Sequence, residues 1–280
     1  MSDHDGDSEA MQAYYAKGEE RDRLARGVGQ VEFLRTIEVV SRTLPDPPAV
    51  VADIGGGPGR YTDWLLGAGY TVVHRDPVLL HVEQIRKRHS DAVDSAVDSA
   101  VDTAVGDARA LDLADASVDV VLLLGPLYHL PVEADRLQAL AEAGRIVRPG
   151  GVVHLAAITR WSPRLHGILV NQAHTHYAGM LATVDEVERT GVIPPVGEGS
   201  FTGYTHTPDG LRQEVARSGL VLESLVSIEG LAMALGDIDE RMDSPEGRAL
   251  VLDTLRAVEA VPELLGVGPH LLATARAGSA

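Results

Sequence analysis

The sequence predicts an α/β fold, a doubly wound, seven-stranded and mostly parallel sheet with helices on both faces. Three observations predict it. Short apolar runs of strand length alternate with helical patterns over most of the chain. One such run, Ala49 to Ile54, feeds directly into the glycine cluster Gly55-Gly56-Gly57-Pro58-Gly59. Apart from Asp53 the run is apolar, as in a parallel strand covered on both faces.

The elements follow in order. Residues 1–10 are acidic and polar and read as a disordered tail, the opposite of a signal peptide. From Met11 to Leu44 the pattern is helical, with Leu24, Val28, Val31, Leu34 and Val39 near helical spacing, until Pro45-Asp46-Pro47-Pro48 stops it. Ala49 to Ile54 is the first strand. Tyr61 to Leu66 starts a helix, Tyr70 to His74 is the next strand, and Pro77 to His89 is helical. Val118 to Leu124 is a strongly apolar strand and Glu133 to Val147 a helix. Arg148-Pro149-Gly150-Gly151 is a turn before the strand Val152 to Ile158.

Residues 92–105 carry a tandem Ala-Val-Asp-Ser repeat, with Thr103 in place of the last serine. A four-residue period is too short for a solenoid unit, so this reads as a local expansion in a surface loop. Its end, Thr103-Ala104-Val105, enters a strand. Residues 159–208 break the strand–helix rhythm and read as a cap inserted after a strand. Thr207-Pro208-Asp209 then opens a helix through Ser218, a threonine cap with proline in the first position. Val221 to Ile228 and His270 to Ala275 are the last strands, and Ser244 to Val261 is the helix between them. The chain thus divides into a tail (1–10), a helical segment (11–44), a core (45–158), the cap (159–208) and the C-terminal part of the core sheet (209–280).

Composition narrows the function. The 280 residues are 45% hydrophobic, enough for a sizeable core, and no apolar run reaches the length of a membrane span. There is no cysteine, which removes disulfides, thiolate metal sites and cysteine nucleophiles. The formal net charge is −17, which opposes a phosphate backbone and disfavours nucleic acid as partner. Lys17 and Lys87 are the only lysines, a bias that suggests a GC-rich genome. The expected compartment is the cytoplasm, with no membrane partner.

The chemistry is carried by Asp53-Ile54-Gly55-Gly56-Gly57-Pro58-Gly59, between a strand and a helix. Glycines let the backbone turn tightly and approach a ligand. A nicotinamide dinucleotide loop, G-x-G-x-x-G from Gly55, needs glycine where this chain has Arg60. The pattern matched is acidic-x-G-x-G-x-G. Asp76 ends the second strand, where a carboxylate can take ribose hydroxyls; its neighbours His74 and Arg75 also allow a surface ion-pair reading. Gly106-Asp107-Ala108 follows the third strand. Asp119 begins the fourth, and Gly125-Pro126-Leu127-Tyr128-His129-Leu130 ends it.

In this order and spacing, these elements resemble the class I S-adenosylmethionine (SAM)-dependent methyltransferases, over about residues 49–160 and less closely over the C-terminal strand pair. The resemblance implies a Rossmann-like sheet with SAM across the carboxyl ends of its strands. It places Asp53, Gly55, Gly57, Gly59, Asp76, Asp107, Ala108 and Gly125 around the cofactor. Asp107 would face the adenine amino group, with Asp102 as a competitor. Asp53 has a second reading, as a carboxylate that stabilises the loop. Tyr14-Tyr15 with Glu19, Glu20 and Arg23 resembles the opening of many actinobacterial small-molecule methyltransferases. That implies a helical lid over the cofactor, Tyr15 on the SAM side and Tyr14 toward the acceptor.

Two readings stay open for His129: a general base, since histidine titrates near neutral pH, or a packing residue beside the cofactor. The acceptor is expected to meet Tyr128, Trp161, His174, His176, Tyr177 and Tyr204, because aromatic walls with a few polar groups suit small ligands. His166, His174 and His176 lack a clear third ligand, so no metal is expected. His4, His81 and His89 read as surface or tail residues, His154 and His270 as structural. The implied function is methyl transfer from SAM to O, N or C of a small-molecule acceptor, with secondary metabolism as a setting. The alternatives are a non-catalytic SAM-binding regulator and a nucleic-acid methyltransferase. The second lacks an Asn-Pro-Pro-Tyr-like motif after strand four.

Overall fold

The computed structural model describes residues 23–90, 100–196 and 202–278. Helix α1 (Gly27–Ser41) precedes strand β1 (Val50–Ile54) and helix α2 (Arg60–Gly67). Then come β2 (Thr71–Asp76), α3 (Leu79–Ser90), β3 (Val101–Val105) and β4 (Val118–Leu123). Helix α4 (Glu133–Ile146) leads into the long strand β5 (Val147–Ile158). After it come α5 (Met180–Thr190), a two-residue ribbon of β6 (Val192–Ile193) and β7 (Gly203–Tyr204), and α6 (Pro208–Arg217). Strand β8 (Leu220–Ser227), the short α7 (Ile238–Asp243), α8 (Pro245–Val258) and β9 (His270–Ala277) complete the chain.

Seven strands form one sheet in the order β3-β2-β1-β4-β5-β9-β8. β1 runs parallel to β2 and β4, and β4 to β5, while β9 is antiparallel to both β5 and β8. Side chains alternate across this sheet. In β4, Val120 and Leu122 join one apolar cluster while Val121 and Leu123 join the other; in β9, Leu272 opposes Leu271 and Ala273 in the same way. Both faces are thus buried, which is why the central strands β1 and β4 read as apolar runs, each broken by a single aspartate, Asp53 or Asp119. β1 and β4 diverge on opposite sides of the point where strand order reverses. Ligands bind at such a switch point, beyond the carboxyl ends of the strands.

Several boundaries differ from the sequence expectation. Helix α1 begins only at Gly27, whose φ of 56° suits glycine and breaks the helical run from Met11 to Leu44. Tyr14 and Tyr15, and with them the lid expectation, lie outside the described residues, as do residues 92–99 of the 92–105 repeat. β3 starts at Val101, so the last repeat unit is partly strand, paired in register with β2. Thr207 caps α6 as expected, its hydroxyl accepting from the Gly210 N–H at 3.0 Å. Among the described residues, no helix is long and apolar enough to cross a membrane.

Candidate active site

A cavity of about 420 Å³ opens along the carboxyl edge of the sheet, from the β2–β3 side to β9. Its floor is the turn after β1. Gly55 holds a φ of 68°, and a Cβ there would lie 2.7 Å from the Pro126 ring. Gly57 holds a φ of 58°, and a Cβ there would meet no atom within 4 Å, only the cavity. The backbone therefore lies bare to whatever the cavity takes. Gly59 is not in the wall; in a left-handed conformation it opens α2, with Ile85 too close for any side chain.

Three carboxylates surround this floor. Asp53, 1% exposed, accepts from the Thr62 hydroxyl at 2.7 Å through Oδ2, and its Oδ1 has no partner among the described residues. Burial pushes its carboxyl up to about 6, the Asp76 charge adding to the rise against the Thr62 hydrogen bond. Asp76 ends β2 and accepts from the Gly57 N–H at 2.9 Å, the Val78 N–H at 2.9 Å and His81 Nδ1 at 3.0 Å. Burial raises this carboxyl, but the hydrogen bond and charge of His81 outweigh it and hold the group below its ordinary value. Asp107 is clamped by Arg109, which reaches on to Asp135 at 2.8 Å.

The rest of the wall comes from the loop after β4 and from the far strands. Gly125, Tyr128 and His129 line the cavity together with Ala108. The Tyr128 and His129 rings lie 4.7 Å apart. Burial pushes His129 down to about 4, against the attraction of Asp76. Leu124, Ala156, Ile228 and Leu272 make an apolar side, closed by Leu24, Glu32 and Thr36 from the α1 region and by His270 at the start of β9.

The structure thus gathers Asp53, Gly55, Gly57, Asp76, Asp107, Ala108, Gly125, Tyr128 and His129 around one cavity. It places the expected acceptor residues of the cap elsewhere. His174, His176 and Tyr177 lie exposed on and beside a short turn, Ala173–Thr175. Trp161, 41% exposed, packs against Gly266. Tyr204 is held as a packing residue, with the Arg136 guanidinium 3.5 Å above its ring and His206 edge-on at 4.8 Å. None of the five residues reaches the cavity wall.

Two histidines were misjudged from sequence. His81 is 3% exposed and bonded to Asp76, not on the surface. Its place five residues beyond Asp76, in the first turn of the following helix, was a usable signal. His270 lines the cavity, bonded to Glu229; it meets that partner only through the pairing of β8 with β9, which no local pattern announces.

A parallel sheet reversing at β1 and β4, with antiparallel β9 beside β5, a bare glycine turn and an acidic residue ending β2, is the fold shared with solved SAM-dependent methyltransferases. A family profile described as a methyltransferase domain matches residues 52–155. An uncharacterized methyltransferase of Mycobacterium tuberculosis is 31% identical over 123 residues, 44% of this chain and 45% of its own. The chain spans about half the length of the curated relatives it matches. A SAM-dependent methyltransferase from Methanosarcina mazei superposes with a TM-score of 0.57 at 17% identity, covering 86% of this chain and 98% of its own. The [4+2]-cyclase SpnF superposes with a TM-score of 0.55 at 15% identity, covering 89% and 82%. Residues 52–155 thus match a methyltransferase domain, and the sheet has the fold of solved SAM-dependent methyltransferases.

Proposed function

We propose that the chain transfers the methyl group of SAM to a small-molecule acceptor. The observation that carries this reading is the junction of the Gly55–Gly57 cradle with Asp53, Asp76 and Asp107 in one cavity. Its volume falls in the range of ~300–1,000 Å³ used for small ligands. The donor set fits SAM. The orphan Oδ1 of Asp53 offers negative charge to the cationic end, and Gly57 leaves room for the methionine part. Asp76 retains lone pairs for ribose hydroxyls, and Asp107 faces the cavity for the adenine amino group.

When bound, SAM supplies an electrophilic methyl on its sulfonium sulfur. The residues of the chain then have to orient and exclude water. The three carboxylates and the glycine turn fix the nucleoside side, while Leu124, Ala156, Ile228 and Leu272 keep the other side dry. Holding the reactants in line is worth up to ~7–11 kcal/mol of barrier. His129, kept neutral by burial at about 4, is a weak base at neutral pH and serves to position rather than to take a proton.

An acidic chain of charge −17 supports a small acceptor over nucleic acid, and the composition supports a cytoplasmic setting, with secondary metabolism as the context the resemblance suggests. The test is incubation with methyl-labelled SAM and fractionated small-molecule extracts. Label should enter a small organic product with stoichiometric S-adenosylhomocysteine. SAM binding without transfer to any fraction would instead support a regulatory SAM-binding role.

A further inference from the structure

At the far end of the cavity, Glu229 holds His270 through both carboxylate oxygens. Oε2 accepts from the His270 backbone N–H at 3.1 Å, and Oε1 bonds Nδ1 of the ring. Glu229 is fully buried, so this orientation is fixed from behind. Nε2 is the ring nitrogen left for a cavity ligand, and among the described residues no protein group bonds it. The ring stands 6.4 Å from that of Tyr128, centroid to centroid. Glu32 approaches Nδ1 at 3.9 Å and is itself held by Arg23.

The place in the sheet says which ligand meets this ring. Asp76 and Asp107 hold the nucleoside side at β2 and β3, and the glycine turn follows β1. β9 lies two strands beyond β4, about 10 Å at the usual strand spacing. Resting on the methyltransferase reading above, we propose that Glu229 and His270 form a dyad that takes the proton of a hydroxyl or amine acceptor during methyl transfer. The acceptor heteroatom gives its electron pair to the methyl carbon. The carbon–sulfur bond breaks toward sulfur, and the acceptor proton passes to Nε2. Glu229, on Nδ1–H, is the positioning residue and stabilises the imidazolium that forms.

Glu32, Glu229 and His270 also have the spacing of a metal triad. An ion there would have to displace both the Nδ1 proton and Arg23, whereas the two carboxylates, Arg23 and an imidazolium already balance in charge. The charged and titratable groups around the ring are Glu229, Glu32, Arg23, His166 and Tyr128. Burial lowers the ring's basicity, but Glu229 and Glu32 outweigh it and push His270 up to about 9. The base form therefore grows as pH rises toward 9, and transfer to a protic acceptor should climb over the same range.

The test uses the full chain labelled with ¹⁵N-histidine and saturated with S-adenosylhomocysteine. Long-range proton–nitrogen spectra from pH 5 to 10 report the tautomer and the midpoint of His270. The dyad predicts a neutral ring protonated on Nδ1 and a midpoint above that of free histidine. Glu229→Gln should lower the midpoint by about one unit or more while SAM affinity, read by calorimetry, stays within about twofold. His270→Asn, checked for folding by its melting curve, should keep SAM affinity as well. An Nε2–H tautomer, or a midpoint that Glu229→Gln leaves in place, overturns the dyad. So does stoichiometric Zn²⁺ or Mn²⁺ binding to the wild type that Glu229→Gln abolishes, or a tenfold loss of SAM affinity in His270→Asn. Failure of the wild type to bind SAM would instead overturn the methyltransferase reading.

Discussion

At Gly57 the chain needs the absence of a side chain. Its φ of 58° is strained for any other residue, and a Cβ would project into the cavity rather than into protein. Gly57→Val should therefore weaken SAM by at least about tenfold, roughly 1.4 kcal/mol, and calorimetry reads the change directly. Asp53 gives cofactor binding a pH dependence. Its carboxyl is pushed up to about 6 by burial, so it begins to protonate just below neutral pH. A cationic ligand favours the ionised form, so binding is linked to proton loss. SAM affinity should fall roughly tenfold from pH 7 to pH 5. Asp53→Asn should bind more weakly at pH 7 and show a flatter pH dependence; an unchanged slope would place Asp53 outside the cofactor's field. The glycines, Asp53, Asp76 and Asp107 were legible in sequence because each belongs to a short motif at a strand end. Glu32, Glu229 and His270 were not, because residues 32, 229 and 270 meet only once α1 and the β8–β9 pair are in place.

Among the elements, the region after β5 departs most from expectation. Its aromatics and histidines suggested an acceptor pocket, but such residues signal packing as readily as binding. Tyr204 and His206 belong to a buried polar knot. Arg136 of α4 forks onto Glu214 of α6 at 2.7 and 3.0 Å, and His206 bonds the same carboxylate at 3.0 Å. Arg136 also donates to the carbonyls of Leu130 and Pro131, directly after His129. The knot thus ties the loop after β4 to α6 and β7. Removing one partner leaves a buried charge unmatched, so Arg136→Ala should destabilise by about 3–5 kcal/mol in chemical unfolding. Glu214 itself sits at about 2: burial raises it, but His206 and Arg136 outweigh that. A depressed carboxylate stabilises the fold above its ordinary 4.5, and that contribution is lost as pH falls toward 2. Acid unfolding of wild type between those values, with a shallower profile in Glu214→Gln, is the expected result. Helix α1 is equally fixed. Arg35 is fully buried and paired with Glu38 and Glu259, and Val39 and Val40 lie in the core. Its residues Glu32 and Thr36 form a wall of the cavity. The sequence pattern marked a helix here, but the pairing with Glu259 comes from the far end of the chain.

For the whole molecule, the order of strands and the acidic charge set what can reach the site. The sheet reversal at β1 and β4 opens a cavity over the glycine turn, and a formal net charge of −17 disfavours polyanions in general. The seven strands and their doubly wound order were readable because strands covered on both faces are mostly apolar and alternate with helical patterns. The ribbon of β6 and β7 and the short α7 were not, having only 2, 2 and 6 residues to carry any periodicity. Fold alone does not settle chemistry: SpnF, a [4+2]-cyclase, shares this architecture. The central claim is that the cavity is built for SAM. Titration calorimetry of the full chain with SAM, S-adenosylhomocysteine and NAD tests it most directly. Saturable, one-to-one binding of the first two and none of NAD is expected, because Arg60 stands where a dinucleotide loop needs glycine. Binding of NAD with no binding of SAM or S-adenosylhomocysteine would contradict it.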